Sequence, residues 1–339
     1  MDLERETILI IQAALGNKAE QNVFETDAQI FNIDGKNFLF TTDEYSSEDF
    51  FRDDQPYRLG WNLVTATISD ILAAGGVPSC YGHSMTITRS WDHHYLSEFC
   101  EGIRDCLESF GTSFIGGDTG FSDTWKYTGI ALGKVLSPLT RNGASAGDII
   151  YMTGRVGAGN LEAALKMFGS NPVLKSTLQN SRIKFPHRLK ESGLIRKYAT
   201  ACTDSSDGML KALMNIANCS NLGFEAESLH YIKEGLMVCK TLNLDKTLLF
   251  MGESGEYELA FTIPASSEKD FLDEAEAGDI SISRVGKMTD AKEFVLRDNG
   301  QVINFSGYDL HARNYNDISL YIKAISEFLE QFPGKNPKP

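Results

Sequence analysis

The sequence predicts two mixed domains, an N-terminal α/β unit followed by a C-terminal α+β unit, and three observations carry that expectation. The chain's 339 residues exceed what one ordinary compact core organises. Short β-prone runs alternate with helical stretches through the first half. The polar stretch Arg141 to Asp148 then separates two differently organised halves. The expected division is residues 1–138, residues 147–310 and a helical tail over 311–339.

The apolar run Phe38 to Thr42 reads as a strand ending on a polar turn, Thr41-Thr42-Asp43. Tyr57 to Ala74 reads as a helix with Leu59, Leu63, Ala66 and Ile71 on one face, stopped by Gly75-Gly76 and Pro78. Asp70 sits near its C-terminal end. A second helix from about Asp92 to Phe110 spaces Leu96, Phe99, Ile103, Leu107 and Phe110 helically, with Gly111 as its stop. Phe114-Ile115 is a short strand ahead of a second acidic turn, Gly116-Gly117-Asp118-Thr119, and Lys126 to Leu136 is a strand leading into Ser137-Pro138. The second half opens with the strand Ile149 to Met152, a turn at Gly154, Gly157 and Gly159, and a helix from near Asn160. A last amphipathic helix, Asp317 to Phe332, ends at Pro333-Gly334 and is expected to pack on a domain or a subunit partner.

Lys plus Arg number 32 against 46 Asp plus Glu, a formal charge of 32 − 46 = −14. Such a chain repels a nucleic-acid backbone and an anionic lipid surface alike, so neither is an expected partner. An acidic protein that binds an anionic nucleotide needs local neutralisation, which divalent cations held by aspartates supply without a basic patch. The six cysteines form no CxxC pair and read as reduced thiols. Glu4 and Glu6 break the apolar stretch at the N-terminus, and no run reaches bilayer length. A cytoplasmic enzyme acting on a small molecule is the expectation.

Three acidic segments carry the chemistry: Thr41-Thr42-Asp43, Gly116-Gly117-Asp118-Thr119 and Asp204-Ser205-Ser206-Asp207-Gly208. Each sets carboxylates beside glycine or small hydroxyl residues, where oxygen ligands meet Mg²⁺ and backbone approaches phosphate. Taken singly, Asp43, Asp70 and Asp118 also suit helix capping or turn stabilisation. Gly154, Gly157 and Gly159 lack the Gly-Lys-Ser/Thr ending of a phosphate loop. The histidines show no ligand spacing, and no G-x-S-x-G nucleophile context occurs.

Phe40-Thr41-Thr42-Asp43, Gly60-Trp61-Asn62, Ser69 to Pro78 (SDILAAGGVP), Gly116-Gly117-Asp118-Thr119, Asp204 to Met209 (DSSDGM) and Glu256-Tyr257-Glu258-Leu259 together resemble thiamine-monophosphate kinase. The resemblance runs to about Tyr308. It implies the fold of the aminoimidazole-ribonucleotide synthetase superfamily: an N-terminal α/β domain that dimerises through its sheet, a C-terminal α+β domain and an ATP cleft between them. Through it Asp27, Asp43, Asp70, Asp118 and Asp207 are expected to hold Mg²⁺ around the triphosphate, and the third acidic turn adds Asp204. Thr41, Thr42, Gly117, Asp118, Thr119, Arg141 and Ser206 are the expected nucleotide contacts; Asp207, Asp118 and Arg141 are the expected catalytic groups. Arg141 also reads as a solvated linker charge. The implied cofactors are ATP and Mg²⁺, the implied assembly a homodimer and the implied reaction phosphoryl transfer to thiamine monophosphate. A sibling ATP-dependent enzyme with another acceptor and a non-catalytic nucleotide-binding homologue are the alternatives. The chain departs from the kinase pattern at Thr26, where a carboxylate is usual, at Gly120-Phe121 in place of Thr-Arg, and at Gly255-Glu256 in place of Glu-Asp.

Overall fold

The computed structural model describes residues 3–15, 24–172, 174, 183–227, 229–298 and 300–332. In chain order the first half contains α1 (Leu3–Leu15), β1 (Gln29–Ile33), β2 (Lys36–Ser46), α2 (Pro56–Ala73), β3 (Val77–Thr88), α3 (His93–Phe110), β4 (Ser113–Ser122) and β5 (Lys126–Lys134). Its five strands form one sheet in the order β1-β2-β5-β3-β4. Only the β3–β4 pair is parallel, because α3 carries the chain back across the sheet between them.

The second half contains β6 (Ile149–Thr153), α4 (Ala158–Phe168), α5 (Leu189–Tyr198), β7 (Ala201–Asp204), α6 (Met209–Cys219), β8 (Gly223–Ala226), α7 (Lys233–Leu242) and the single turn α8 (Leu248–Met251). There follow β9 (Leu259–Ile263), α9 (Glu268–Ala277), β10 (Ile282–Thr289), β11 (Phe294–Asp298), β12 (Gln301–Asn304) and α10 (Ile318–Leu329). These seven strands make a second sheet, β12-β11-β8-β10-β6-β9-β7.

Helix α2 is the element both halves share. Every residue from Leu59 to Ser69 is buried, the all-round apolar contact of a helix enclosed on several sides. Its Leu63, Val64 and Ile68 join Leu39 and Tyr81 of the first sheet and Tyr151, Leu259 and Phe261 of the second in one continuous core. Against α3 the approach is backbone to backbone: a Cβ on Gly102 would lie 1.9 Å from the Tyr57 carbonyl oxygen, and one on Gly60 would lie 2.2 Å from that of Phe99. Asp92 caps α3 by accepting from the Tyr95 amide at 2.8 Å, and Gly111 ends it in the left-handed region at φ 64°. Asn62 pairs with the backbone of residues 183 and 185, so the Trp61-Asn62 pair fixes the chain entering α5.

Two of the three expected acidic turns are strands. β2 continues to Ser46 in register with β5, Asp43 facing Gly129, and β4 continues through Gly116 to Thr119 after a bulge at Ile115. The period-two pattern explains the difference: Leu39, Thr41 and Tyr45 are buried while Phe40, Thr42 and Glu44 are exposed, so the polar residues extend the strand and do not end it. Only Ser205-Ser206-Asp207-Gly208 is a turn, directly after β7. The terminal helix packs within the chain: Tyr321, Ile325 and Leu329 lie in the core that also holds Leu296 of β11 and Ile303 of β12. Its proposed stop at Pro333-Gly334 lies outside the described residues.

Candidate metal and nucleotide site

Four chain segments deliver carboxylates to one place beside α2. Asp27 comes from the loop before β1, Asp43 from β2, Asp70 from the last turn of α2, and Asp204 from the end of β7. Oxygens of Asp27, Asp70 and Asp204 all lie within 4.8 Å of one another. Each acid is held by a neighbour. Thr41 Oγ1 donates to Asp70 Oδ2 at 2.5 Å, Ser69 Oγ lies 2.5 Å from Asp204 Oδ2, Thr203 Oγ1 donates to Asp27 Oδ1 at 2.9 Å and the Tyr45 hydroxyl to Asp43 Oδ2 at 3.3 Å.

Such crowding raises proton affinity. Burial first, then the Asp204 charge, pushes Asp43 up to about 7; burial and the Asp27 charge do the same for Asp204; burial and the Asp43 charge hold Asp70 well above the carboxylate range. A divalent cation placed among these oxygens would remove the repulsion. The clustered donors are all carboxylates, the set that suits a hard cation and not the thiolate and imidazole chemistry of zinc.

Arg141 takes a different place from the one expected. It is a partly buried counter-ion, not a solvated linker charge: its guanidinium lies 2.5 Å from Asp27 Oδ1 and also donates to Thr203 Oγ1 and the Phe24 carbonyl. These donors face the acid cluster, so Arg141 trims the cluster's charge and does not line the cleft beyond it. Thr41 likewise supports Asp70 from behind, while Thr42 points to the opposite, exposed face of β2 and stands apart from the acids.

The cleft itself measures about 710 Å³ and is lined from both halves by Asp43, Asp49, Asp70, Ser206, Asp207 and Tyr257, among others. Asp207 and Ser206 thus join the site on the turn after β7. Gly208 makes that turn possible, at φ 81° with the Gly252 carbonyl oxygen 2.2 Å from any added Cβ.

Gly117, Asp118 and Thr119 do not join it. Asp43 pairs with Gly129, Gly129 with His83 and His83 with Gly117, so Asp43 and Gly117 occupy one rung of the sheet three strand spacings apart. That separation is about 14 Å, and all three residues are exposed on the edge strand. Asp118 is therefore no ligand to the same ion as Asp27, Asp70 and Asp204 within one chain.

Several residues that shape the site carry no local sequence signal for that role. Glu256 Oε2 accepts from the Gly157 and Ala158 amides at 2.5 and 3.0 Å, capping α4, while its other oxygen is buried without a partner; burial pushes this carboxyl up to about 8. Glu258 meets Arg188 at 2.6 Å and Thr153 at 2.5 Å. Between them Tyr257 holds φ 55°, a strained position for a bulky residue, and stacks on Phe51 with ring centres 6.3 Å apart. The Glu-Tyr-Glu-Leu motif was the available signal for this loop, although nothing in it reveals the cap.

A profile described as "AIR synthase related protein, N-terminal domain" matches residues 25–135. The thiamine-monophosphate kinase of Methanopyrus kandleri is 30% identical over 69% of this chain and 73% of its own length. That of Archaeoglobus fulgidus is 25% identical over 79% of this chain and 88% of its own length. Among solved structures, one described as AaThiL complexed with AMPPCP and TMP superposes with a TM-score of 0.75 at 21% identity, covering 87% of this chain and 95% of that one. The two-domain fold is shared with that protein.

Proposed function

The chain belongs to the thiamine-monophosphate kinase family, and from that premise we propose that it transfers the γ-phosphoryl group of Mg²⁺-bound ATP to thiamine monophosphate, giving thiamine diphosphate and ADP. The observation that carries the reading is the convergence of Asp27, Asp43, Asp70 and Asp204 beside α2, with Asp43 and Asp70 also lining a cleft formed from both halves of the chain. Asp27, Asp70 and Asp204 would hold Mg²⁺, with Asp43 and Asp207 facing the same space. Held there, the cation would supply neutralisation of the nucleotide's phosphate charge.

The chain's own residues do the rest. The cluster is fixed in advance by Thr41, Ser69, Thr203 and Arg141, so its geometry needs no rearrangement on binding. An oxygen of the acceptor phosphate attacks the γ-phosphorus as the bond to ADP breaks. A phosphate monoester is already anionic near neutral pH, so no dedicated general base is required. Catalysis rests on alignment and charge neutralisation.

A homodimer belongs to the same proposal. β4 is exposed along nearly its whole length and presents Phe114, Ile115 and Phe121 at 49%, 64% and 67% exposure. A bare apolar edge strand of this kind calls for a cover, and a second copy would bring Gly117, Asp118 and Thr119 toward a cleft they do not reach in their own chain. The six free thiols suit a reducing, cytoplasmic setting, and among the described residues no helix is long and apolar enough to cross a membrane.

Incubation of the purified chain with ATP, Mg²⁺ and thiamine monophosphate should yield thiamine diphosphate, separated by chromatography, and none when the metal is chelated. Nucleotide binding without turnover would assign the chain to the non-catalytic alternative; turnover of other phosphate monoesters only would assign it to a sibling activity.

A further inference from the structure

The cleft is strongly one-sided in charge. Asp43, Asp49, Asp70, Asp207 and Glu253 are among its acidic lining residues, and Arg313 is the only basic one among the described residues. Arg313 sits on the segment between β12 and α10, where Ala312, Tyr315 and Asn316 also line the cleft.

Both ends of that segment are anchored. Glu253 accepts from the Ala312 amide at 2.7 Å and lies 3.0 Å from His311 Nδ1. On the far side Asp317 caps α10 by accepting from the Ser319 amide at 2.8 Å, and α10 is buried through Tyr321, Ile325 and Leu329. The backbone is thus fixed while the Arg313 side chain stays exposed. Its charge reaches the opposite wall: burial pushes the Asp49 carboxyl up, and the Ser46 hydrogen bonds and the nearby Arg313 and Lys166 charges draw it back.

We propose that Arg313 binds the phosphate of the acceptor, a phosphate monoester, when substrate enters the cleft. The inference rests on the kinase reading above. A cation held among the carboxylates would neutralise the nucleotide polyphosphate, whereas Arg313 is the positive side chain that the described lining residues offer to the adjoining phosphate dianion of the acceptor. A planar guanidinium can engage two of its oxygens at once.

Steady-state kinetics of the full chain and of Arg313→Ala and Arg313→Lys test this, with thiamine, which lacks the phosphate, as a competing ligand. In Arg313→Ala the KM for thiamine monophosphate should rise about tenfold or more, the size of a lost charge-assisted contact. Arg313→Lys should recover part of the loss, the KM for ATP should stay within about twofold, and thiamine should inhibit all three proteins equally. An unchanged acceptor KM in Arg313→Ala overturns the proposal. So does a parallel loss of thiamine inhibition, which would mean that the substitution loosens the segment. If the unaltered chain shows no turnover, the kinase reading fails; calorimetric titration of thiamine monophosphate then decides separately, and equal or absent binding to the unaltered chain and Arg313→Ala refutes the role of Arg313.

Discussion

The acid cluster beside α2 and the edge strand β4 both set aspartate next to small polar residues, yet folding gives them opposite fates. Asp70 and Asp204 are packed against their neighbours' hydroxyls, and their pKa values are raised by that enclosure. Asp118 lies on the same sheet as Asp43 but three strand spacings away, exposed on an edge with apolar neighbours equally exposed. A similar local motif therefore means an enclosed carboxylate cluster in one place and an exposed strand edge in the other. The difference lies in what covers each strand, which is a property of the sheet order and not of the motif.

The largest effect should come from the cluster. Asp70→Asn or Asp204→Asn should keep the fold and lower kcat roughly 10³-fold, the loss expected when several kcal/mol of charge stabilisation goes. Near-native turnover in either variant, measured beside an unchanged circular dichroism spectrum, would place the metal elsewhere. The β4 side is sharpened by mixing. If a second copy supplies Asp118, then Asp70→Asn and Asp118→Asn chains, each inactive alone, should recover about a quarter of native activity when refolded together, since half the dimers are mixed and each mixed dimer has one intact site. Phe121→Asp should meanwhile shift the sedimentation coefficient to that of a monomer. No recovery on mixing, together with an active Phe121→Asp monomer, would erase the link between the two regions.

A smaller, graded effect concerns pH. Glu256 is held up to about 8 and Asp43 and Asp204 to about 7, all above their unfolded values, so between about pH 4 and 8 the folded state keeps protons that the unfolded chain has released. Stability of the metal-free protein should therefore fall as pH rises through that window. Mg²⁺ should flatten the part near 7, and Glu256→Gln the part near 8. Denaturant midpoints that climb with pH over this range would contradict the electrostatics assigned to the cluster. Smallest of all, Asp92→Ala removes the cap of α3 and should cost about 1 kcal/mol in the same assay while leaving activity intact.

What could be read from sequence divides along the same line. Helices α2 and α3 announced themselves through spacing and through the glycines that stop them, because these are local determinants. Strand ends did not, since the alternation of Leu39, Thr41, Asp43 and Tyr45 looks like a polar turn until a partner strand reveals one buried face. The aspartates were visible, but their supports were not: Asp27 meets Arg141 and Ser69 meets Asp204 across more than a hundred residues of sequence. The same holds for Glu256, whose cap on α4 joins segments 99 and 98 positions apart. Distance between Asp43 and Asp118 was equally hidden, because only the strand order β2-β5-β3-β4 sets it.

The central claim is that the carboxylates beside α2 hold the metal on which nucleotide binding depends. Calorimetric titration of a non-hydrolysable ATP analogue into the unaltered chain and Asp204→Asn, each with and without Mg²⁺, tests it most directly. Binding by the unaltered chain only when Mg²⁺ is present, and loss of that dependence in Asp204→Asn, is the predicted result; the same metal-dependent binding in both proteins would contradict it.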